Sequence, residues 1–129
     1  MIVVDASAVL EVLLQTPAAA RVSQRIFAAG ETLHAPHLID VEIAQVVRRY
    51  ERARAIPAGR AEQALFDLAS LPLHRYPHLV LLPRVWRLRH NLTACDAIYL
   101  ALAESLDAPL VTCDRALASV PGRVQVEVI

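Results

Sequence analysis

Four acidic residues stand where the chain changes direction, and their side chains could together hold a cation. Asp5 and Asp114 each follow a short apolar run directly. Glu42 and Asp96 lie within stretches of helical spacing, on the apolar side. Carboxylates are rarely buried without a partner. We therefore expect the four to share one site, and a divalent metal ion is the simplest source of the missing positive charge.

Each of the four acids also has a purely structural interpretation. Asp5 and Asp114 could cap the helices that follow them, and Asp96 stands at capping-box spacing after Thr93. Glu42 could instead form an internal ion pair with an arginine. We favour a shared site, because four independent caps or ion pairs would otherwise all have to fall on one edge of the fold.

Two hydroxyl residues accompany the acids. Ser7 lies in the first turn of the helix after Asp5 and could orient that carboxylate through its hydroxyl group. Strand alternation places Thr112 on the same side as Asp114. Both are expected to support the site.

Short apolar runs alternate with stretches of helical spacing along the whole chain. The predicted strands cover residues 1–4, 33–35, 73–76, 110–112 and 124–128. The predicted helices cover residues 6–15, 17–29, 37–54, 57–71, 77–90, 94–106 and 115–118. This alternation predicts a single α/β domain over residues 1–129, a three-layer α/β/α sandwich with a short, mainly parallel central sheet. Ligands of such folds bind beyond the carboxyl ends of the strands, where Asp5 and Asp114 would both lie.

Composition limits the class of protein. Of the 129 residues, 56% are hydrophobic, which is typical of a folded chain. No apolar run reaches the roughly 20 residues that cross a bilayer, and no basic region precedes the first strand, so we expect a cytoplasmic protein. Cys95 and Cys113 lack the spacing of a zinc site or a disulfide framework and are expected to be small, buried, reduced thiols.

Four segments carry a family resemblance: Ile2–Ser7, Pro36–Glu42, Cys95–Ala97 and Thr112–Leu117. Together, and in this order, they resemble the PIN domain, and above all the VapC-type ribonuclease toxins of type II toxin–antitoxin pairs. The resemblance implies an endoribonuclease that depends on Mg²⁺ or Mn²⁺ and hydrolyses RNA phosphodiester bonds with metal-activated water. It also implies a homodimer and a small VapB-like antitoxin that blocks the site.

The resemblance assigns a role to each acid. Asp5, Glu42, Asp96 and Asp114 correspond to the catalytic and metal-binding quartet, with Ser7 and Thr112 as supporting residues. Asp5 and Asp96 are expected to form the main metal site, and the other two acids to bind directly or through water. The alternative is a catalytically inactive PIN-fold module that binds RNA or protein.

Basic residues offer candidate RNA contacts. All 13 are arginine and they balance 13 acidic residues, so any basic surface must be local. Arg84 and Arg87, with Trp86 for base stacking, are the predicted RNA contacts, although a solvated helix face would give the same pattern. A second arginine cluster, residues 48–54, has the same two interpretations.

Two further groups of residues remain after the acids and arginines. Two apolar groups could exceed what one core needs and serve the dimer or the antitoxin: Leu65, Phe66, Leu68 and Ala69, and the run Leu79–Leu82. Prolines interrupt the spaced histidine pairs 34/37 and 74/78, so we expect those histidines in loops or on the surface.

Overall fold

Five short strands form one parallel sheet at the centre of the molecule. The structure, a computed structural model, describes residues 1–120 and 122–129. The strands are β1 (Ile2–Val4), β2 (Leu33–Pro36), β3 (Leu73–Tyr76), β4 (Leu110–Thr112) and β5 (Val126–Val128). Their order in the sheet is β3-β2-β1-β4-β5, and every neighbouring pair is parallel.

Helices flank this sheet and confirm the predicted α/β class. They are α1 (Ala6–Leu13), α2 (Ala19–Ile26), α3 (Leu38–Arg52), α4 (Ala58–Ser70), α5 (Leu82–Arg87), α6 (Ala94–Leu106) and α7 (Arg115–Ala118). Helix α6 packs against β1, β2 and β4, while α1 packs against β4 and α3 against β2. Within the described residues, no helix combines the length and the apolar character needed to cross a membrane.

The register of the sheet brings the carboxyl ends of β1 and β4 side by side. Val4 of β1 stands opposite Val111 of β4. The backbone N–H of Asp5 then donates to the Val111 carbonyl at 3.2 Å, which extends the pairing by one residue. The residues just beyond these two strands are therefore held together by backbone hydrogen bonds as well as by side chains.

Helix α6 is buried over its whole centre, from Ala97 to Ala103. A helix that is apolar all round must lie inside a fold, and here it crosses beneath the sheet. The Thr93 side chain caps its start by accepting from the Asp96 N–H, and Asp107 ends it in the left-handed conformation with φ 49°. Because of this burial, α6 holds Asp96 at a fixed position near the sheet edge.

Two predicted helices differ from the observed ones. Helix α2 begins at Ala19 instead of Pro17, because residues 17 and 18 form a turn first. The Thr16 hydroxyl accepts from the Ala18 N–H at 3.3 Å in this turn and donates to Glu11. The helix predicted over 77–90 is divided into a 3₁₀ turn, Leu79–Leu81, and the short α5. Pro83 explains the break, since its ring cannot follow a preceding helical turn but is tolerated near the start of a new helix.

The expectation that all four spaced histidines lie in loops or on the surface was wrong for His34. His34 is buried within β2, and its ring nitrogens bond the Thr32 hydroxyl at 2.8 Å and the Tyr76 hydroxyl at 2.7 Å. The ring also stacks on His74 at a centroid distance of 4.9 Å. Polar partners on β3 and just before β2 therefore allow a histidine inside the sheet.

The expectation that both cysteines are buried was wrong for Cys95. Both thiols are free, but Cys95 is exposed and Cys113 is partly buried.

Acidification should destabilise the protein through His34. Burial, followed by the charge of His74, lowers the pKa of His34 below its ordinary value of 6.5. The unfolded chain then binds more protons below that value, so the contribution of neutral His34 is present above it and lost as the pH falls. We expect His34→Gln to cost about 1–2 kcal/mol near neutral pH and to weaken the pH dependence, as measured by urea unfolding. The exposed His90→Gln is the control, and an unchanged pH dependence in His34→Gln would contradict the prediction.

Candidate active site

Asp5 is the buried centre of the site, with 5% of its surface exposed. One carboxylate oxygen, Oδ1, accepts from the Ser7 hydroxyl at 2.6 Å and from the Ala8 N–H at 3.1 Å. The other oxygen accepts from the Thr112 hydroxyl at 2.7 Å. Asp5 therefore caps α1, as its structural interpretation predicted, and also joins α1 to the end of β4.

The two hydroxyl groups that hold Asp5 are themselves fixed by backbone amides. The Cys113 N–H donates to Ser7 Oγ at 2.9 Å, and the Asp114 N–H donates to Thr112 Oγ1 at 2.8 Å. Each hydroxyl thus accepts from the chain after β4 and donates to Asp5. This network orients the Asp5 carboxylate in one direction.

Glu42 and Asp96 approach the site from two different helices. Glu42 lies in the second turn of α3, is half-buried, and accepts a hydrogen bond from the Tyr99 hydroxyl. Asp96 forms the expected capping box, because its N–H donates to Thr93 Oγ1 at 3.2 Å and its Oδ2 accepts from the Thr93 hydroxyl at 2.7 Å. Neither acid forms an ion pair with an arginine among the described residues, so the alternative of an internal ion pair for Glu42 is not supported.

Asp5 and Asp96 both lie near enough to Glu42 for their negative charges to act on it. Burial raises the pKa of Asp5, although the hydrogen bonds from Ser7 and Thr112 oppose that effect. Burial also raises the pKa of Glu42, and the negative charges of Asp5 and Asp96 raise it further against the opposing Tyr99 hydrogen bond. We refer to Asp5, Glu42 and Asp96 as the inner acids.

No cation neutralises the inner acids within the described residues. The side-chain ion pairs there join Arg25 to Glu31 and Glu127, Arg75 to Asp40, and Arg84 to Glu104. Each lies outside the inner acids. The site therefore concentrates negative charge at the carboxyl edge of the sheet without compensating it.

Asp114 differs from the inner acids. Its side chain is exposed, and Oδ1 accepts from the Ala116 N–H at 2.9 Å as the cap of α7. Only its backbone enters the network, through the bond to Thr112. Among residues 1–120 and 122–129, no three acidic, histidine or cysteine side chains form a ready-made metal cage. A metal-binding role for Asp114 stays a prediction.

Tyr99 is the site residue whose role the sequence did not reveal. It follows Asp96 by three positions, so the helical period placed it on the same face, but its hydroxyl partner is 57 positions away in α3. The sequence did place a tyrosine on the inward face one turn after an acid. Because a buried phenol needs a polar partner, this position could have indicated a hydrogen bond to a site residue.

The predicted RNA contacts do not form one surface. Arg84 is paired with Glu104, and Arg87 lies beside the same pocket. Trp86 lies about 200° around the helix from Arg84, is 68% exposed, and carries the Arg89 guanidinium 4.8 Å from its ring centroid. Their role in RNA binding stays a prediction.

The hydroxyl of Thr112 should stabilise the fold through Asp5. Thr112→Val keeps the shape but removes the donor to Asp5 and the acceptor of the Asp114 N–H. We expect a loss of about 2–3 kcal/mol in unfolding free energy, since hydrogen bonds to charged groups are strong. The matched control Thr112→Ser keeps the hydroxyl and should lose about 1 kcal/mol for the missing methyl group. Equal losses in urea denaturation would show that the hydroxyl contributes nothing.

Comparison with known proteins identifies the family of this chain. The family model described as "PIN domain" matches residues 2–123. Ribonuclease VapC12 of Mycobacterium tuberculosis is 41% identical over 122 residues, which cover 95% of this chain and 93% of that protein. Ribonuclease VapC9 of the same organism is 45% identical over 118 residues, covering 92% and 89%.

A solved structure supports the fold. The VapBC2 structure from Rickettsia felis, described as bound to a DNA fragment from their promoter, matches with a TM-score of 0.71 over 98% of both chains at 15% identity. The predicted resemblance is confirmed. The chain belongs to the PIN domain family, among the VapC ribonucleases.

Proposed function

We propose that this protein is a divalent-metal-dependent endoribonuclease, the toxin of a toxin–antitoxin pair, and that the inner acids hold the ion. One observation carries the proposal: the negative charges of Asp5, just after β1, and Asp96, in α6, both act on Glu42 in α3, and no cation pairs with any of the three among the described residues. Like charges this close are costly in a folded protein unless something positive joins them.

The donor set suits a hard cation. All three inner acids offer oxygen, the ligand that Mg²⁺ and Mn²⁺ prefer. Mg²⁺ keeps several of its waters and is commonly held by one or two carboxylates, so it does not require a complete protein cage. We assign direct contacts to Asp5 and Asp96, with Glu42 and the exposed Asp114 acting directly or through water.

The residues around the acids orient them before any ligand arrives. Ser7 and Thr112 fix the Asp5 carboxylate, Thr93 fixes Asp96, and Tyr99 fixes Glu42. When bound, a divalent cation supplies an activated water and neutralises charge that builds on the scissile phosphate. Preorganised carboxylates avoid a reorganisation cost at the moment of reaction.

RNA is the proposed substrate, and a VapB-like antitoxin and a second copy of the chain are the proposed partners. The relatives' names support the substrate, and the name VapBC2 of the structural neighbour supports the antitoxin. Exposed apolar side chains are available for such partners: Leu65, Phe66, Leu79, Val80 and Leu82. Leu68 and Leu81 are buried instead and belong to the core.

An inactive RNA- or protein-binding module is the second candidate. The observation in its favour is the Asp114 carboxylate, which is engaged as a helix cap while no complete cage forms among the described residues. Such a module would bind RNA equally well with and without EDTA and would not cleave it.

Asp5→Asn should separate the two candidates. We expect RNA cleavage with Mn²⁺ to fall by at least about 100-fold, and EDTA to abolish it in the wild type. Mn²⁺ should also raise the melting temperature of the wild type but not of Asp5→Asn, because an ion that binds only the folded state stabilises it. Asp107→Asn, an exposed change of the same chemistry, is the control. Undiminished cleavage by Asp5→Asn would refute the proposed site.

Tyr99→Phe tests the positioning of Glu42. Loss of the hydroxyl leaves Glu42 without its donor, so we expect Mn²⁺ affinity to fall by about 10-fold, within the range that supporting hydrogen bonds contribute at metal sites. Isothermal titration of the purified variant measures this affinity directly. Tyr50→Phe, a change at an exposed tyrosine on α3, is the matched control. If both variants bind Mn²⁺ like the wild type, Tyr99 has no positioning role.

A further inference from the structure

A second charged site, opposite in sign to the first, lies at the far end of α6. Three arginines and one glutamate line a polar pocket there: Arg84, Arg87, Arg123 and Glu104. Arg84 and Arg87 belong to α5, Glu104 belongs to α6, and Arg123 lies in the segment before β5. Glu104 follows Asp96 by eight positions, which corresponds to about 12 Å along the helix. We call these four residues the arginine pocket.

The glutamate fixes the geometry of the pocket. The Arg84 Nε donates to Glu104 Oε2 at 2.6 Å, and its Nη2 donates to Oε1 at 2.9 Å. This hydrogen bond, followed by the backbone N–H and the charge of Arg123, lowers the pKa of Glu104 and keeps it ionised. Gly122 lies so close that an added Cβ would stand 3.7 Å from Glu104 Oε1. Arg84 and the backbone beside Arg123 are thus anchored on one carboxylate.

The pocket carries an excess of positive charge. One carboxylate faces three guanidinium groups, and Glu104 is already satisfied by the two-pronged contact with Arg84. Among the described residues, Arg87 and Arg123 have no ion-pair partner of their own. Guanidinium groups arranged around one cleft form planar, paired hydrogen bonds with phosphate oxygens.

We propose that the arginine pocket binds a phosphate group, with Arg87 and Arg123 donating to its oxygens and Glu104 holding Arg84 in place. Among the described residues, the side chains that line the pocket are all charged, whereas a bound peptide segment would bury apolar contacts as well. A small tetrahedral oxyanion fits such a lining better than a protein does. The natural source is a backbone phosphate of RNA that extends beyond the inner acids, and this assignment of the source rests on the proposed function.

The experiment uses full-length protein with the Asp5→Asn change, so that RNA stays intact. Binding of a fluorescent single-stranded RNA is followed by anisotropy over a range of salt concentrations. Losing one phosphate contact should reduce the slope of log K against log salt by about 0.7, which is about fivefold in affinity near 0.1 M salt. Arg87→Gln and Arg123→Gln should each show this change, and the exposed Arg21→Gln on α2 should not.

A second arm separates RNA from free phosphate. Inorganic phosphate is titrated into the same protein, and the backbone amide signals of Arg87 and Arg123 are followed by NMR. Shifts with free phosphate together with unaltered RNA binding in both variants would assign the pocket to free phosphate and still support a phosphate site. Weakened RNA binding in both variants supports RNA as the source.

Three outcomes would overturn the proposal. The first is RNA affinity that is unchanged in both variants, together with amide signals of Arg87 and Arg123 that do not shift when inorganic phosphate is added. The second is an equal loss of RNA binding in Arg21→Gln, which would indicate only general attraction to positive charge. The third is displacement by a glutamate-rich peptide at lower concentration than by RNA, which would indicate a protein partner. Absent nuclease activity in the Asp5-containing protein would refute the proposed function alone, because this binding test needs no cleavage.

Discussion

The structure depends on burying a carboxylate that it does not neutralise. An isolated ionised carboxylate costs several kcal/mol or more to remove from water. Asp5 retains its place because two hydroxyl groups and one amide donate to it, and each bond to a charged group contributes about 1.5–3 kcal/mol. The same bonds join β1 to the end of β4. The hydrogen bonds that stabilise the buried charge of Asp5 are therefore the same ones that hold the carboxyl ends of β1 and β4 together.

Helix α6 keeps two opposite charge clusters apart. Its buried centre, from Ala97 to Ala103, separates Asp96 at one end from Glu104 at the other. If the arginines of the far pocket lay within ion-pair distance of the inner acids, they would neutralise the charge that a metal site needs. About 12 Å of apolar helix prevents that contact. An extended polyanion could contact both clusters, whereas a single small ion could contact only one.

Much of this architecture could be predicted from residues that are close together in the sequence, and the rest depends on contacts between distant residues. The bounds of β3, β4 and α6 follow from prolines, turn residues and the Thr93 cap, all of which are visible nearby in the sequence. Pro83 was equally visible, but a helix with a proline in its first turn resembles a continuous one. The burial of His34 and the bond from Tyr99 to Glu42 could not be predicted, because their partners lie 42 and 57 positions away. The argument that parallel strands end at one edge placed Asp5 and Asp114 in the site, whereas Glu42 and Asp96 were included because they lie on apolar helix faces.

The inner acids also make the stability of the fold depend on pH. Because the pKa values of Asp5 and Glu42 are raised in the folded state, that state binds more protons than the unfolded chain above the ordinary carboxyl range. Their contribution to stability therefore falls as the pH rises from the pKa of an ordinary carboxyl group through the raised pKa values of the folded state. At neutral pH the two negative charges oppose folding. A cation in the proposed site would take the place of those protons and recover the stability. The three acids come from the residue after β1, from α3 and from α6, so the unfolded chain cannot present them together. Binding of such an ion and folding must therefore favour each other.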